Sequence, residues 1–157
     1  MRSDPELGEL AQEEIAAASE RLDALAVLFD AYRGFYGQPS DVTRARDWLR
    51  TRMRVGESVV LVAEIDGAVA GFVQLYPMFS SVRTARTWIL NDLFVAEPAR
   101  RRGVARALLD AAAAFAREDG AAGISLETTR DNTAARALYR DAGWHEDDTQ
   151  WYSLPVG

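Results

Sequence analysis

The stretch of sequence that decides the fold is Asn91-Asp-Leu-Phe-Val-Ala-Glu-Pro-Ala-Arg-Arg-Arg-Gly-Val-Ala-Arg-Ala-Leu-Leu109. Its first residues complete a strand that the alternation of side chains predicts over residues 84–95, and Pro98 closes that strand. A helix is predicted over residues 100–118, with three arginines and Gly103 in its first turn. The unpaired N–H groups and the dipole of a helix start favour an anion. This junction therefore predicts a phosphate-binding loop.

The composition of the loop suits a pyrophosphate. Gly103 lets a phosphate approach the backbone without a Cβ in the way, and Ala105 is nearly as small. Positive charge comes from Arg100, Arg101, Arg102 and Arg106. The segment matches neither a Walker A loop nor a Rossmann glycine fingerprint. On local evidence, a solvated helix start with charge by chance explains it equally well.

The predicted strand over residues 84–95 has two faces. Alternation places Arg86, Trp88, Leu90, Asp92 and Phe94 on one face. The other face then holds Thr87, Ile89, Asn91, Leu93 and Val95.

Upstream, a hairpin is predicted from residues 59–65 and 68–76. The two strands are joined by Asp66-Gly67 in a type I′ turn, and Pro77 ends the second strand.

Helical and strand patterns fill the rest of the chain. A short strand is predicted at residues 13–17, a helix at 19–36, and a second helix after a cap at Ser40 or Asp41. A strand at 124–128 precedes a helix capped by Asp131 or Asn132 that stops at Gly143. Residues 144–146 and 150–154 are predicted to form a last small hairpin. The result is an α+β fold in one domain, 1–157, with 1–11 a flexible tail.

Composition excludes several kinds of chemistry. The chain has no cysteine, so disulfides, thiolate zinc sites and a cysteine nucleophile are impossible. All 18 basic residues are arginine, which excludes a P-loop lysine and a Schiff-base lysine. The net charge of −6 disfavours nucleic acid. No apolar run approaches the ~20 residues of a membrane span, and we expect a cytoplasmic protein with no membrane partner.

Two motifs resemble the GNAT acetyltransferase superfamily. Arg100-x-x-Gly103-x-Ala105 is similar to the family's R/Q-x-x-G-x-G/A signature. The segment from Asn132 to Trp144 resembles its N-x(6)-Y-x(3)-G-F/W pattern. The resemblance implies a mixed, mostly antiparallel sheet with splayed fourth and fifth strands and helices on both faces.

The resemblance also implies the cofactor acetyl-CoA, held between the fourth and fifth strands, and no metal. Backbone groups of Leu93, Phe94 and Val95 would pair with the pantetheine arm. The pyrophosphate would contact Arg100, Arg101, Arg102, Gly103, Val104, Ala105 and Arg106. Asn132 and Ala135 would lie near the thioester, and Tyr36, Tyr76 and Asn91 would line the acceptor site.

Tyr139 is the expected general acid. Residues 132 and 139 are about two helical turns apart and therefore share a face. A phenol there can protonate the departing CoA thiolate. The alternative is that Tyr139 packs with Leu138 as core aromatic surface.

Asp92 is the candidate base, because apolar Leu90 and Phe94 on its face would raise its pKa. It would act through water on the acceptor amine. A structural Asp satisfied by nearby backbone is an equal alternative. In the polyamine acetyltransferases, the subfamily closest in motif spacing, a Glu precedes the matching Asp, whereas Asn91 stands here and cannot take a proton.

These observations together predict an acetyl-CoA-dependent N-acetyltransferase that moves acetyl to a primary amine by direct attack. The acceptor is expected to be a small molecule such as a polyamine or amino acid. The alternatives are an acetyltransferase acting on a protein amine and a non-catalytic acyl-CoA-binding regulatory module. The sequence leaves undecided whether the chain forms a homodimer.

Overall fold

The computed structural model describes residues 16–157, with side chains from Glu20 onward. The predicted tail, and residues 13–15 of the predicted first strand, lie outside this range. The described elements, in chain order, are β1 (Ala16–Ala17), α1 (Leu22–Phe35), α2 (Val42–Arg54), β2 (Val59–Ile65), β3 (Ala68–Ser80), β4 (Ala85–Val95), α3 (Val104–Glu118), β5 (Ile124–Ser125) and α4 (Thr133–Asp141). Short 3₁₀ helices precede α1 (Ala18–Arg21) and α3 (Glu97–Ala99).

The five strands form one sheet in the order β1-β2-β3-β4-β5. Neighbouring strands are antiparallel except for β4 and β5, which are parallel. β5 pairs with β4 only at Trp88 and Ile89. The rest of β4 toward Val95 has no strand on that side within the described residues, so the predicted separation of the fourth and fifth strands is confirmed.

Helices cover both faces of the sheet, as predicted. On one face, Phe72 of β3 packs against Phe29 of α1 with ring centroids 5.9 Å apart. On the other, a Cβ built at Gly71 would lie 3.1 Å from Val104 and 3.2 Å from Leu108 of α3. We call these the α1 face and the α3 face. Each fully buried large apolar side chain in such a core contributes roughly 1.5–3 kcal/mol.

The β2–β3 hairpin follows its sequence signal. Asp66 and Gly67 have φ values of 52° and 77°, the positive pair that a type I′ turn requires. The expected end at Pro77 is wrong, because β3 continues to Ser80. Beyond Leu75 the strand pairs only with β4. A proline is tolerated where one side of a strand is unpaired.

A β-bulge at Asn91 reverses the faces of β4. Gln74 pairs with Asp92 and Leu75 with Leu90, which leaves Asn91 as an extra residue. Before the bulge, Trp88 packs on Phe115 of α3 with ring centroids 5.1 Å apart. After it, Phe94 packs on the α1 face. The expectation of one continuous face from Arg86 to Phe94 is therefore wrong, because the extra residue shifts the alternation by one.

Helix α3 begins at Val104, later than the predicted residue 100. Gly103 is its N-cap with φ 81°, and Arg101 also has a positive φ of 64°. Left-handed backbone at these positions is incompatible with a right-handed helix. The three consecutive arginines and Gly103 therefore form the loop that leads into the helix.

Contacts divide the chain into two units, Met1–Glu127 and Thr128–Gly157. The prediction of a single domain therefore stays a prediction.

In the second unit, Asn132 caps α4 by accepting a hydrogen bond from the N–H of Ala135. Gly143 follows the C-cap with φ 90°, as predicted. The expected hairpin is wrong, since residues 144–157 contain no strand and Trp151 is 80% exposed. A two-stranded hairpin without a packed face is not stable.

Candidate active site

Asp92 lies at the centre of a polar cluster on the α1 face of the sheet. It is 7% exposed, and both carboxylate oxygens accept hydrogen bonds. The Tyr32 hydroxyl donates to Oδ1 at 2.7 Å, and the Asn91 side-chain amide donates to the same oxygen at 3.2 Å. The Gln74 amide donates to Oδ2 at 2.7 Å. All three donors are neutral, and none of the described arginines forms an ion pair with this carboxylate.

The bulge determines where Asp92 points. Leu90, one of the two apolar neighbours expected beside it, lies before the bulge and so on the α3 face. Phe94 lies on the same face as Asp92, and its ring contacts that of Tyr32 with centroids 5.6 Å apart. The predicted structural alternative named backbone partners, whereas the observed partners are side chains.

Tyr32 and Tyr76 lie close to this carboxylate, and Tyr36 packs on Tyr32. Burial, followed by the charge and hydrogen bond of Asp92, raises the pKa of Tyr32 far above its ordinary value. Burial and the charge of Asp92 also raise the pKa of Tyr76, with a hydrogen bond from Trp48 and the charge of Arg52 acting in the opposite direction. Tyr36 is exposed and packs edge-on against Tyr32 with ring centroids 5.1 Å apart. The cluster therefore combines one carboxylate with two phenols, Tyr32 and Tyr76, whose raised pKa values oppose ionisation.

The connection between α1 and α2 is fixed by Asp30. Its carboxylate accepts from the Ser40 hydroxyl and from the Asp41 N–H, both at 2.7 Å. These hydrogen bonds lower the pKa of Asp30, with that from Ser40 having the largest effect. Asp41 in turn caps α2 by accepting from the N–H of Arg44. The end of α1, where Tyr36 lies, is thereby held beside the sheet.

The predicted phosphate loop lies beyond the end of β4. Helix α3 has no side-chain cap, so the N–H groups of its first turn are unpaired within the helix. Arg100 turns back to donate to the Val95 carbonyl at 3.0 Å and covers the Phe94 ring. Arg106 pairs with Asp110 one turn along the helix. Arg101 and Arg102 are exposed, and within residues 16–157 neither side chain is engaged in an ion pair.

The remaining predicted cofactor contacts in the first unit are backbone positions. Leu93, Phe94 and Val95 pair with β3 on one side and have no strand partner on the other within the described residues. Val104 is buried, so only its backbone can face the loop, whereas Ala105 is half-buried. This free edge of β4 leads directly into the arginine loop.

The second unit contains the predicted residues near the thioester and the predicted acid. Asn132 and Ala135 are joined by the capping hydrogen bond of α4, 3.2 Å long. Tyr139 lies on the same helix and is half-buried. Its backbone carbonyl accepts from the N–H of Trp144 at the helix end.

Sequence reasoning missed Gln74, Ser58 and Tyr32. The Ser58 hydroxyl donates to Oε1 of Gln74 at 2.7 Å, and Gln74 is fully buried. One signal was available: Gln74 is a polar residue between apolar neighbours in the middle of β3, and buried polar groups require partners. The partners themselves come from strand register and could not be read from spacing.

Within the described part of the chain, no group of three or more His, Cys, Asp or Glu side chains is arranged to hold a metal ion. No helix among residues 16–157 is both long and apolar enough to cross a bilayer.

Comparison with known proteins gives consistent results. The model of the acetyltransferase (GNAT) family matches residues 22–144. The protein named Uncharacterized N-acetyltransferase YhfO, from Bacillus subtilis (strain 168), is 48% identical over 124 residues, which is 79% of this chain and 83% of the relative. A probable acetyltransferase from Haemophilus influenzae (strain ATCC 51907 / DSM 11121 / KW20 / Rd) is 39% identical over 95 residues, 60% and 65% of the two chains.

Solved structures agree. The crystal structure of a probable acetyltransferase superposes with a TM-score of 0.86 at 44% identity, covering 91% of this chain and 97% of the other. The GNAT family generally uses acetyl-CoA as its cosubstrate, and the signature at Arg100–Ala105 lies within the matched residues. The chain therefore belongs to the acetyltransferase (GNAT) family and is an N-acetyltransferase.

Proposed function

We propose that this enzyme transfers the acetyl group of acetyl-CoA directly to the primary amine of a small, positively charged molecule. The observation that carries the proposal is the bulge at Asn91. It turns Asp92 toward the tyrosines of the α1 face, at the start of the free β4 edge that runs into the arginine loop. One irregularity thus brings a carboxylate next to a backbone edge suited to the cofactor arm.

The cofactor would bind along that edge. Backbone groups of Leu93–Val95 are suited to the amides of pantetheine, because they pair with β3 on one side only. The unpaired N–H groups at the start of α3 favour a pyrophosphate. Arg101 and Arg102 are the side chains available to add charge, whereas Arg100 and Arg106 already have partners.

The acceptor would be cationic before it reacts. Asp92 is a buried carboxylate with neutral donors around it, so an ammonium group would be its natural counter-ion. The rings of Tyr32, Tyr36 and Tyr76 offer faces that attract cations. A polyamine or an amino acid amine meets this description. The net charge of −6 would also favour the approach of a cation.

The proposed reaction begins with deprotonation of the acceptor. The amine loses a proton to Asp92 through water, and its nitrogen attacks the thioester carbon. The C–S bond breaks, Tyr139 protonates the departing thiolate, and the second proton lost by the nitrogen replaces the one that Tyr139 gave. The products are the N-acetylated amine and CoA, with one proton returned to solvent. The roles of Asp92 and Tyr139 are those expected from the family motifs, with Asn132 and Ala135 near the thioester.

Thiol release from acetyl-CoA tests this proposal when it is measured across a panel of amines. We expect turnover with diamines, polyamines or amino acid amines, and little with neutral amides. Tyr139→Phe should fold normally and lower kcat by roughly 10²-fold. Release that is unaffected by every amine in the panel would contradict the proposal. Preference for peptide amines over all small amines would favour the protein-acetylating alternative.

Asn91→Glu is a separate check on the acceptor class. It restores the carboxylate that the polyamine enzymes carry at this position. A gain in rate specific to polyamines would support a polyamine acceptor. A loss in rate for polyamines alone would point to the amino acid class.

A further inference from the structure

A row of buried side chains extends from Asp92 on β4 across β3 to Ser58, beside the start of β2. Gln74 donates to Asp92, and Ser58 donates to Gln74, each bond being 2.7 Å long. Gln74 is fully buried and Ser58 is 5% exposed. Gln74 lies on β3, and Ser58 immediately precedes the neighbouring strand β2.

The direction of these bonds is chemically determined. An ionised carboxylate only accepts, so the NH₂ group of Gln74 must face Asp92. The amide oxygen then faces Ser58, whose hydroxyl supplies the proton. Without that hydroxyl, only the Asp92 carboxylate would hold the amide in this orientation. In the flipped orientation, an amide oxygen would meet a carboxylate oxygen, which is repulsive.

We propose that Ser58 and Gln74 are positioning residues that set the direction of the Asp92 carboxylate and so determine how well the enzyme engages its acceptor amine. This inference rests on the proposed function. Ser58 acts only through Gln74, and Gln74 acts on the oxygen that Tyr32 and Asn91 do not use. The pair fixes one side of the carboxylate, while the tyrosine fixes the other.

Ser58→Ala is the first test, with Ser58→Thr as its matched control. Alanine removes the hydroxyl and leaves a small side chain, so the fold should survive. We expect kcat/KM for the acceptor to fall about fivefold, the effect of one ordinary buried hydrogen bond. The Kd for acetyl-CoA should not change. Threonine keeps the hydroxyl and should restore most of the lost kcat/KM.

A double-mutant cycle makes the test specific. In the background of Gln74→Met, which has no amide to orient, Ser58→Ala should have no further effect on kcat/KM. If the two effects simply add, Ser58 does not act through Gln74 and the proposal is overturned. Equal losses in acetyl-CoA affinity and in acceptor kcat/KM would also overturn it, because they indicate a general structural role.

A readout independent of activity separates this inference from the proposed function. In NMR spectra, the side-chain amide protons of Gln74 should be protected from solvent exchange in the wild type and in Ser58→Thr. Ser58→Ala should speed their exchange. If no amine is acetylated yet this pattern is found, the proposed acceptor class fails while the orientation of Gln74 by Ser58 stands. Unchanged exchange in Ser58→Ala would overturn the inference even in an active enzyme.

Discussion

At the scale of residues, the site depends on the hydrogen bonds that neighbouring side chains donate to the Asp92 carboxylate. Asp92 accepts from Tyr32, Gln74 and Asn91, and no cation is bonded to it among the described residues. Removing one partner of a buried hydrogen bond leaves the other unsatisfied, which costs about 1–3 kcal/mol. Each of these side chains therefore affects both stability and chemistry, and experiments must separate the two.

Tyr32→Phe should change how stability depends on alkaline pH. The pKa of Tyr32 is raised in the folded protein from an ordinary value of 10.0, so its phenol ionises in the unfolded chain first. Its contribution to stability is present below pH 10 and is lost as the pH rises above it. No lysine titrates in this range, because the chain has none. Urea denaturation across this range should show a shallower loss of stability in Tyr32→Phe.

Tyr152→Phe is the control for that measurement. Tyr152 is 90% exposed, and its removal should leave the alkaline loss of stability as in the wild type. An identical loss in Tyr32→Phe and wild type would show that Tyr32 is not protected from ionisation.

Asp92→Asn should affect both stability and the pH–rate profile. The Tyr32 hydroxyl and the Gln74 amide donate to different oxygens of Asp92. Asparagine replaces one of these oxygens with an NH₂ donor, so one of the two donors loses its acceptor and stability should fall by about 1–3 kcal/mol. If Asp92 takes the amine proton, the acidic limb of the kcat/KM profile should flatten with no change in the Kd for acetyl-CoA. A profile that keeps its acidic limb, with both substrates weakened together, would assign Asp92 a structural role only.

At the scale of elements, regular structure could be read from sequence and irregular structure could not. The boundaries of β2 and the caps at Asn132 and Gly143 followed local rules of alternation and capping. The bulge at Asn91 did not, because one extra residue leaves no mark in a strand that has both polar and apolar residues on each predicted face. It reversed the predicted faces and brought Asp92 to Tyr32 and Gln74, contacts that depend on register.

Gly103→Val should abolish the rise in melting temperature that acetyl-CoA produces in the wild type. A ligand that binds only the folded state stabilises it, and a side chain here would block the pyrophosphate. Gly103 has φ 81°, a backbone conformation that valine rarely adopts, so the substitution also strains the backbone without a ligand. The space around its Cβ position is open, so no steric clash within the protein adds to this strain.

Gly120→Val is the matched control, because Gly120 follows the other end of α3 with φ 74° and is equally open. Both variants should melt at lower temperature than the wild type, but only Gly103→Val should fail to respond to acetyl-CoA. Equal responses in the two variants would remove Gly103 from the phosphate site.

Gly71→Ala should destabilise the packing of α3 on the sheet. A Cβ at this position would lie 3.0 Å from the carbonyl oxygen of Phe94, which is backbone and cannot move aside cheaply. We expect a loss of about 1–3 kcal/mol in the free energy of unfolding. Gly34→Ala, in an exposed part of α1 with no atom within 4 Å, should instead raise stability by about 0.5–1 kcal/mol. A neutral Gly71→Ala would contradict the packing described.

At the scale of the whole molecule, the family and the α+β architecture were predictable because two motifs and the element order agree with each other. The last hairpin was not, since alternation at residues 150–154 gives no information on whether a packing surface exists. The substrate side was the least predictable, because Ser58, Gln74 and Tyr32 come from distant parts of the chain and carry no motif. The sequence therefore predicted the type of reaction better than it predicted the side chains around the Asp92 carboxylate.

The most direct test of the central claim is mass spectrometry of acceptor and protein together after incubation with acetyl-CoA and a diamine. The chain has neither cysteine nor lysine, so acetylation of its own side chains at such groups cannot confuse the result. Direct transfer predicts an acceptor heavier by one acetyl group, CoA in equal amount and a protein of unchanged mass. CoA release without an acetylated amine, or an acetyl group that accumulates on the protein and then passes to the acceptor, would contradict direct transfer.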